Sequence, residues 1–252
     1  MDPPPKQMGS SPIRLTRTAG VLFPLIFLIT CPFSTVLKKY SSTVSQNAVL
    51  SFLNYIFVQQ LGYLFFTIAF LSYVVFYIDN KPMRAGNIGV LLFKYAVITI
   101  IGMLFHGGFF KFSLVELVNK FSGGHCSDHS ITMAKCRQSP EYEWVDGVDI
   151  SSHYYFLSSS VLMLLNNQLC AARATDTVSQ TAPPPKTIRF SQLAVLYLSF
   201  ILMSIWVFEF IITSLFFHTP TERLFGLIGV PAALLTISLS RKLLPGEDDG
   251  DT

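Results

Sequence analysis

The chain has 252 residues, 51% of them hydrophobic and 14% aromatic, with only 13% charged. A soluble domain carries about 25% charged residues, so this composition excludes an ordinary water-soluble globule and points to a membrane-embedded chain. The formal net charge of +3 is too small to hold a polyanion, and no nucleic-acid partner is expected.

A bilayer core of about 30 Å takes about 20 apolar residues as helix. The uncharged stretches supply about six such segments. The sequence therefore predicts an all-α polytopic membrane protein, a single integral membrane domain over residues 1–252. The first span, about 18–37, lies between Arg17 and Lys38. It is longer than a signal-peptide core, and Cys31-Pro32-Phe33 at its end lacks a small-residue cleavage pattern, so it reads as a retained span. From Tyr40 to Ile78 no charge occurs, leaving room for an interfacial lead-in and a second span at about 55–78. The third, about 88–110, holds Lys94 near its start, where the stem is expected to snorkel. The fourth, about 151–170, follows Asp149. The fifth, about 191–216, contains one charge, Glu209, which reads as a neutral buried acid bonded to a neighbouring helix. The sixth, about 221–239, ends at Arg241 and Lys242.

The Lys and Arg bias places both termini and the 171–189 loop in the cytosol. Pro183-Pro184-Pro185 makes that loop a flexible connector. The long 111–149 loop then lies on the opposite, oxidising side, with Asp128, Glu141, Glu143 and Asp146. It holds Cys126 and Cys136, for which a disulfide is plausible there. A zinc site using His125, Cys126, His129 and Cys136 is the other reading, although its spacing matches no standard finger.

Two histidines stand at membrane boundaries on the same predicted side. His153 follows Ser151 and Ser152 at the start of the fourth span, and His218 precedes Thr219-Pro220-Thr221-Glu222-Arg223. Each has a structural reading. His153 fits a wet helix start. Thr219, Pro220 and Glu222 fit an N-cap, a first-turn proline and the acid of a capping box. The functional reading uses the same geometry. A helix start binds phosphate through its free N–H groups. Arg223 has the wrong sign for that end of the dipole, so an anion would relieve it. A histidine beside such a site can attack phosphorus. Glu222 can orient its ring, and a second histidine can protonate the departing oxygen. These groups suffice for phosphoryl transfer without a metal, and no cofactor is expected.

The same residues carry a family pattern. Trp144-x-x-Gly147-x-Asp149-Ile150-Ser151-Ser152-His153 and Trp206…Thr213-Ser214-Leu215-Phe216-Phe217-His218, followed by Glu222, resemble the two histidine segments of the FIT family, the fat storage-inducing transmembrane proteins. Asn54-Tyr55-Ile56-Phe57-Val58…Gly62 resembles a weaker block of that family. Short tails and the His-x-x-x-Glu form are similar to fungal members. The family in turn resembles lipid phosphate phosphatases. That resemblance implies His218 as nucleophile and His153 as general acid, supported by Glu222, Asp149, Ser151 and Arg223. It implies hydrolysis of fatty acyl-CoA to acyl 4′-phosphopantetheine and adenosine 3′,5′-bisphosphate at the lumenal face of the endoplasmic reticulum, so that 111–149 is a lumenal loop. It further implies a part in lipid-droplet formation and phospholipid balance, with diacylglycerol and triacylglycerol as lipid partners. The alternatives are a phosphatase of phosphatidate-like lipids and a non-enzymatic neutral-lipid binder. The sequence departs from the family at Ser152, where a glycine is usual, and lacks the lipid phosphatases' Lys-rich first motif.

Overall fold

The computed structural model describes residues 11–77, 84–106, 113–128, 131, 133–148, 150–181 and 189–244. Asp149, His129 and the triple proline at 183–185 lie outside them.

The chain runs as α1 (Pro12–Gly20), α2 (Leu22–Leu37), a 3-10 turn, α3 (Ser41–Gln46), α4 (Ala48–Asn54), a π-helix (Tyr55–Gln60) and α5 (Gly62–Ser72). After these come α6 (Arg84–His106), α7 (Leu114–Phe121), β1 (His125–Cys126), α8 (Met133–Gln138) and β2 (Trp144–Val145). The last elements are α9 (Ser152–Thr181), α10 (Phe190–Phe216), α11 (Pro220–Gly226) and α12 (Gly229–Leu243). The protein is thus mostly helical and polytopic. Among the described residues, four helical runs are long and apolar enough to cross a membrane: Pro12–Gln46, Gly86–Phe105, Phe190–Phe216 and Pro220–Leu243. A bent pair, Ala48–Gln60 and Gly62–Phe76, brings the number to five if it counts as one span. Their outer faces carry Leu25, Leu28, Ile29, Phe33, Ile100, Tyr197, Phe200 and Ile201, exposed as lipid contact requires.

α9 is the helix that the others surround. It packs on α10, α12, α1, α5 and α11. It is 30 residues long, yet is absent from the apolar set. Its sequence explains this: Ser158, Ser159, Ser160, Asn166 and Asn167 are all buried, and such polarity belongs inside a bundle rather than against lipid. Small side chains let neighbours approach closely. A Cβ on Gly229 would lie 2.4 Å from the Tyr155 carbonyl oxygen and 2.5 Å from Ser158 Oγ. α9 also continues to Thr181, so the expected connector after 170 begins as helix.

Lys94 corrects the snorkelling expectation. Its side chain is 2% exposed, and its Nζ donates to Asn166 Oδ1 at 3.1 Å. A polar partner was available in α9, which no reading of the third span by itself could reveal.

The second predicted span is bent by 66°. The π-helix and Gly62 account for the break. At Gly62 a Cβ would sit 2.7 Å from the Phe57 carbonyl oxygen and 3.0 Å from the Phe156 ring. Trp206 Nε1 donates to that same Phe57 oxygen at 2.9 Å, satisfying a carbonyl that the irregular turn frees.

The described residues between 113 and 148 are folded. Ser113 caps α7 by accepting from the Glu116 N–H. β1 pairs antiparallel with β2, His125 opposite Val145. Cys126 and Cys136 form a disulfide, which takes both sulfurs from the zinc reading. Trp144 Nε1 donates to Asn119 Oδ1 at 2.8 Å. Gly147 has φ 79°, and a Cβ there would strike Asn119 Oδ1 at 2.5 Å. The Trp144 and Gly147 positions of the first motif therefore brace this region on α7, and the chain leaves it to enter α9 at His153.

Candidate active site

His218 sits where α10 ends. Phe217 is extended, and His218 takes φ 59°, a left-handed conformation uncommon outside glycine, asparagine and aspartate. The chain then enters α11 through a complete capping box. The Thr219 hydroxyl accepts from the Glu222 N–H at 3.3 Å, and the Thr219 N–H donates to Glu222 Oε2 at 3.0 Å. The same Oε2 lies 3.0 Å from His218 Nδ1. A carboxylate oxygen can only accept, so Nδ1 carries a proton, and in the neutral ring the lone pair is then on Nε2. The cap and the orienting acid, alternatives in the sequence, are one group.

His153 is on the first turn of α9. Ser151 caps this helix, its Oγ accepting from the Tyr154 N–H at 3.3 Å. The Ser151 N–H donates to the Glu222 carbonyl at 3.1 Å. Gly226 lets the two helix starts meet: a Cβ there would lie 2.5 Å from Tyr154 Cβ and 2.7 Å from the Ser151 carbonyl oxygen. This docking brings the histidine rings to 5.9 Å between centroids, tilted by 47°. The neighbouring Ser152 is exposed.

Two cavities meet at His153 and Gln59. One, about 590 Å³, is lined by Val58, Phe66, Ile98, Met103 and Phe156 and is largely apolar. The other, about 420 Å³, contains His218, Glu209, Asn54, Ser51, Tyr55 and Thr213.

Arg223 requires a correction. It is fully buried and faces away from the cavities. Its guanidinium donates to the Ser214 carbonyl, to Ser34 Oγ and to the Thr219 carbonyl, with Phe27 beneath it. A cation suits the carbonyl end of α10. Arg223 thus ties α2, α10 and α11 together, and the anion-binding expectation for it fails. Lys38, after α2, exerts an attractive charge effect on Glu222.

Glu209 also differs from expectation. It is 2% exposed, but its Oε1 has no hydrogen-bond partner, and it lines the histidine cavity. Sequence reasoning missed Gln59 and the cavity roles of Asn54 and Thr213. The block around Asn54 and Gly62 and the segment from Thr213 to His218 offered the signal.

The profile described as "Fat storage-inducing transmembrane protein" (FIT) matches residues 46–238. The chain belongs to the FIT family. The matched region contains the π-helix, both histidines, Glu209 and Glu222 and leaves out α1 and α2. FIT membership implies a part in lipid-droplet formation. No curated protein and no solved structure matches the chain.

Proposed function

We propose that the protein is a fatty acyl-CoA diphosphatase of the endoplasmic reticulum membrane, with its site on the lumenal face. The observation that carries this reading is the pairing of His153 and His218 at 5.9 Å, with His218 Nδ1 held by Glu222.

In the proposed reaction His218 Nε2 attacks one phosphorus of the diphosphate. An N–P bond forms and the bridging P–O bond breaks. His153, protonated, gives its proton to the leaving oxygen. Water then attacks the phosphohistidine, with neutral His153 taking the proton, and His218 is restored. The products are acyl 4′-phosphopantetheine and adenosine 3′,5′-bisphosphate. Glu222 stabilises the positive charge that His218 gains on attack.

The apolar cavity beside His153 favours a second reading, a protein that binds diacylglycerol or triacylglycerol without turnover. A phosphatidate-type phosphatase would use the same histidines. Purified protein incubated separately with oleoyl-CoA, with phosphatidate and with diacylglycerol, with products and retained lipid identified by mass spectrometry, separates the three. Release of adenosine 3′,5′-bisphosphate supports the diphosphatase. Free phosphate from phosphatidate supports the phosphatase. No product from either, with lipid retained, supports the binder.

A further inference from the structure

Glu209 is costly where it stands. A buried carboxyl oxygen without a partner loses its hydration and regains nothing. Oε1 of Glu209 is such an atom, and the carboxyl borders the cavity that holds His218. Asn54 Oδ1, across the same cavity, is also buried without a partner. Ser45, Ser51 and Thr213 line the wall as well. Two unmatched acceptors suit a ligand that brings donors. Neither a phosphate chain nor an alkyl chain has any to bring.

Distance identifies the part of the ligand. Glu209 lies in α10, seven residues before its last residue Phe216, or roughly 10 Å from the end of the helix at 1.5 Å per residue, and His218 stands beyond that end. A ligand with phosphorus at His218 reaches Glu209 through a part that extends back along α10. An extended peptide-like chain covers that distance with about three residues' worth of backbone.

We infer that the Glu209 cavity recognises an amide- and hydroxyl-bearing arm next to the diphosphate, as in a pantetheine ester, with Glu209 Oε1 accepting from an amide N–H. Glu209 is then a specificity residue, remote from the reacting atoms. The identity of the arm rests on the acyl-CoA reading above. The requirement for donors rests on the two unmatched acceptors. The apolar cavity beyond Gln59 and His153 remains for hydrocarbon.

The test uses the full-length chain in lipid nanodiscs, in a His218→Ala background to suppress turnover. Binding of oleoyl-CoA is compared with that of an alkyl ester of the same adenosine diphosphate, in which plain hydrocarbon replaces pantetheine. Glu209→Leu should weaken oleoyl-CoA by about 10- to 100-fold, and the affinity ratio between the ligands should collapse towards one. Glu209→Gln, which keeps an acceptor, should retain most of the ratio. Glu209→Met repeats the test should the leucine variant fail to fold. Melting temperatures of the apolar variants should not fall, because a buried unmatched carboxyl has been removed. Equal weakening of both ligands, or a parent chain that does not prefer oleoyl-CoA, overturns the inference. Turnover by the unmutated chain is followed separately. If oleoyl-CoA is not cleaved but the ratio collapses, arm recognition stands and the diphosphatase reading falls. If it is cleaved and the ratio does not move, the reverse holds.

Discussion

The backbone N–H of Ser151 donates to the backbone carbonyl of Glu222 at 3.1 Å. One main-chain bond thus joins the segments that carry His153 and His218, and neither side chain takes part in it. The 5.9 Å approach of the rings is a property of how α9 and α11 dock.

Gly226 should be intolerant for that reason. Gly226→Ala places a methyl 2.5 Å from Tyr154 Cβ and 2.7 Å from a carbonyl oxygen, both on one rigid helix start. Forced overpacking typically costs about 1–3 kcal/mol. The expected result is a lower melting temperature in detergent and loss of oleoyl-CoA turnover, with both histidines intact. A variant as stable and active as the parent would show that α11 moves away without consequence.

The histidine roles are separable by leaving group. His218→Ala should abolish turnover on every substrate, since no phosphohistidine can form. His153→Ala should cost on the order of 10² to 10⁴-fold, with partial recovery on a nitrophenyl phosphate ester whose oxygen leaves without a proton. Recovery in His218→Ala instead would exchange the two assignments.

Glu222 needs two substitutions, because its Oε2 serves both the Thr219 N–H and His218. Glu222→Ala should lose about 1 kcal/mol of stability through the cap as well as activity. Glu222→Gln can still cap but supplies no charge to the imidazolium. Its melting temperature should stay near that of the parent while its rate falls. Full activity in the glutamine variant would reduce Glu222 to a cap.

Arg223→Met should act on folding. It removes three donated bonds and leaves the Ser214 and Thr219 carbonyls short of partners. Each buried carbonyl left without its donor costs about 1–3 kcal/mol. Thermal unfolding should show the loss. Any protein that survives should bind oleoyl-CoA with unchanged affinity. A variant of normal stability that has lost only phosphate affinity would return Arg223 to the site.

Topology follows from charge bias alone and is tested with protease in sealed microsomes. A tag near Thr181 should be cut and one near Gly123 protected. Equal protection would overturn the arrangement.

The sequence shows the site in outline because helix starts are written locally. Thr219, Pro220 and Glu222 specify a cap from adjacent residues, and His153 follows Ser151 at a visible boundary. Membrane spans are legible for a similar reason, since an uncharged run is a local fact. What escaped depends on partners distant in sequence. In sequence Lys94 reads as a boundary lysine, because its partner Asn166 lies in another helix. Arg223 reads as an anion clamp, because Ser34 and Ser214, which hold its guanidinium, lie in α2 and α10. Glu209 was expected to find a neighbour, and its Oε1 has none. The interior position of α9 was hidden by its serines and asparagines, which lower its hydropathy because they face other helices rather than lipid.

Sharing one acceptor has a further effect at the entrance to α11. Glu222 Oε2 cannot release the Thr219 N–H by unwinding of the first turn without also loosening His218. Local fraying and ring orientation are therefore linked equilibria. Whatever steadies the ring must steady the turn by the same free energy. An occupant on His218 Nε2 should accordingly slow amide hydrogen exchange at Thr219, a backbone position it never touches, so that the helix start itself reports whether the site is filled.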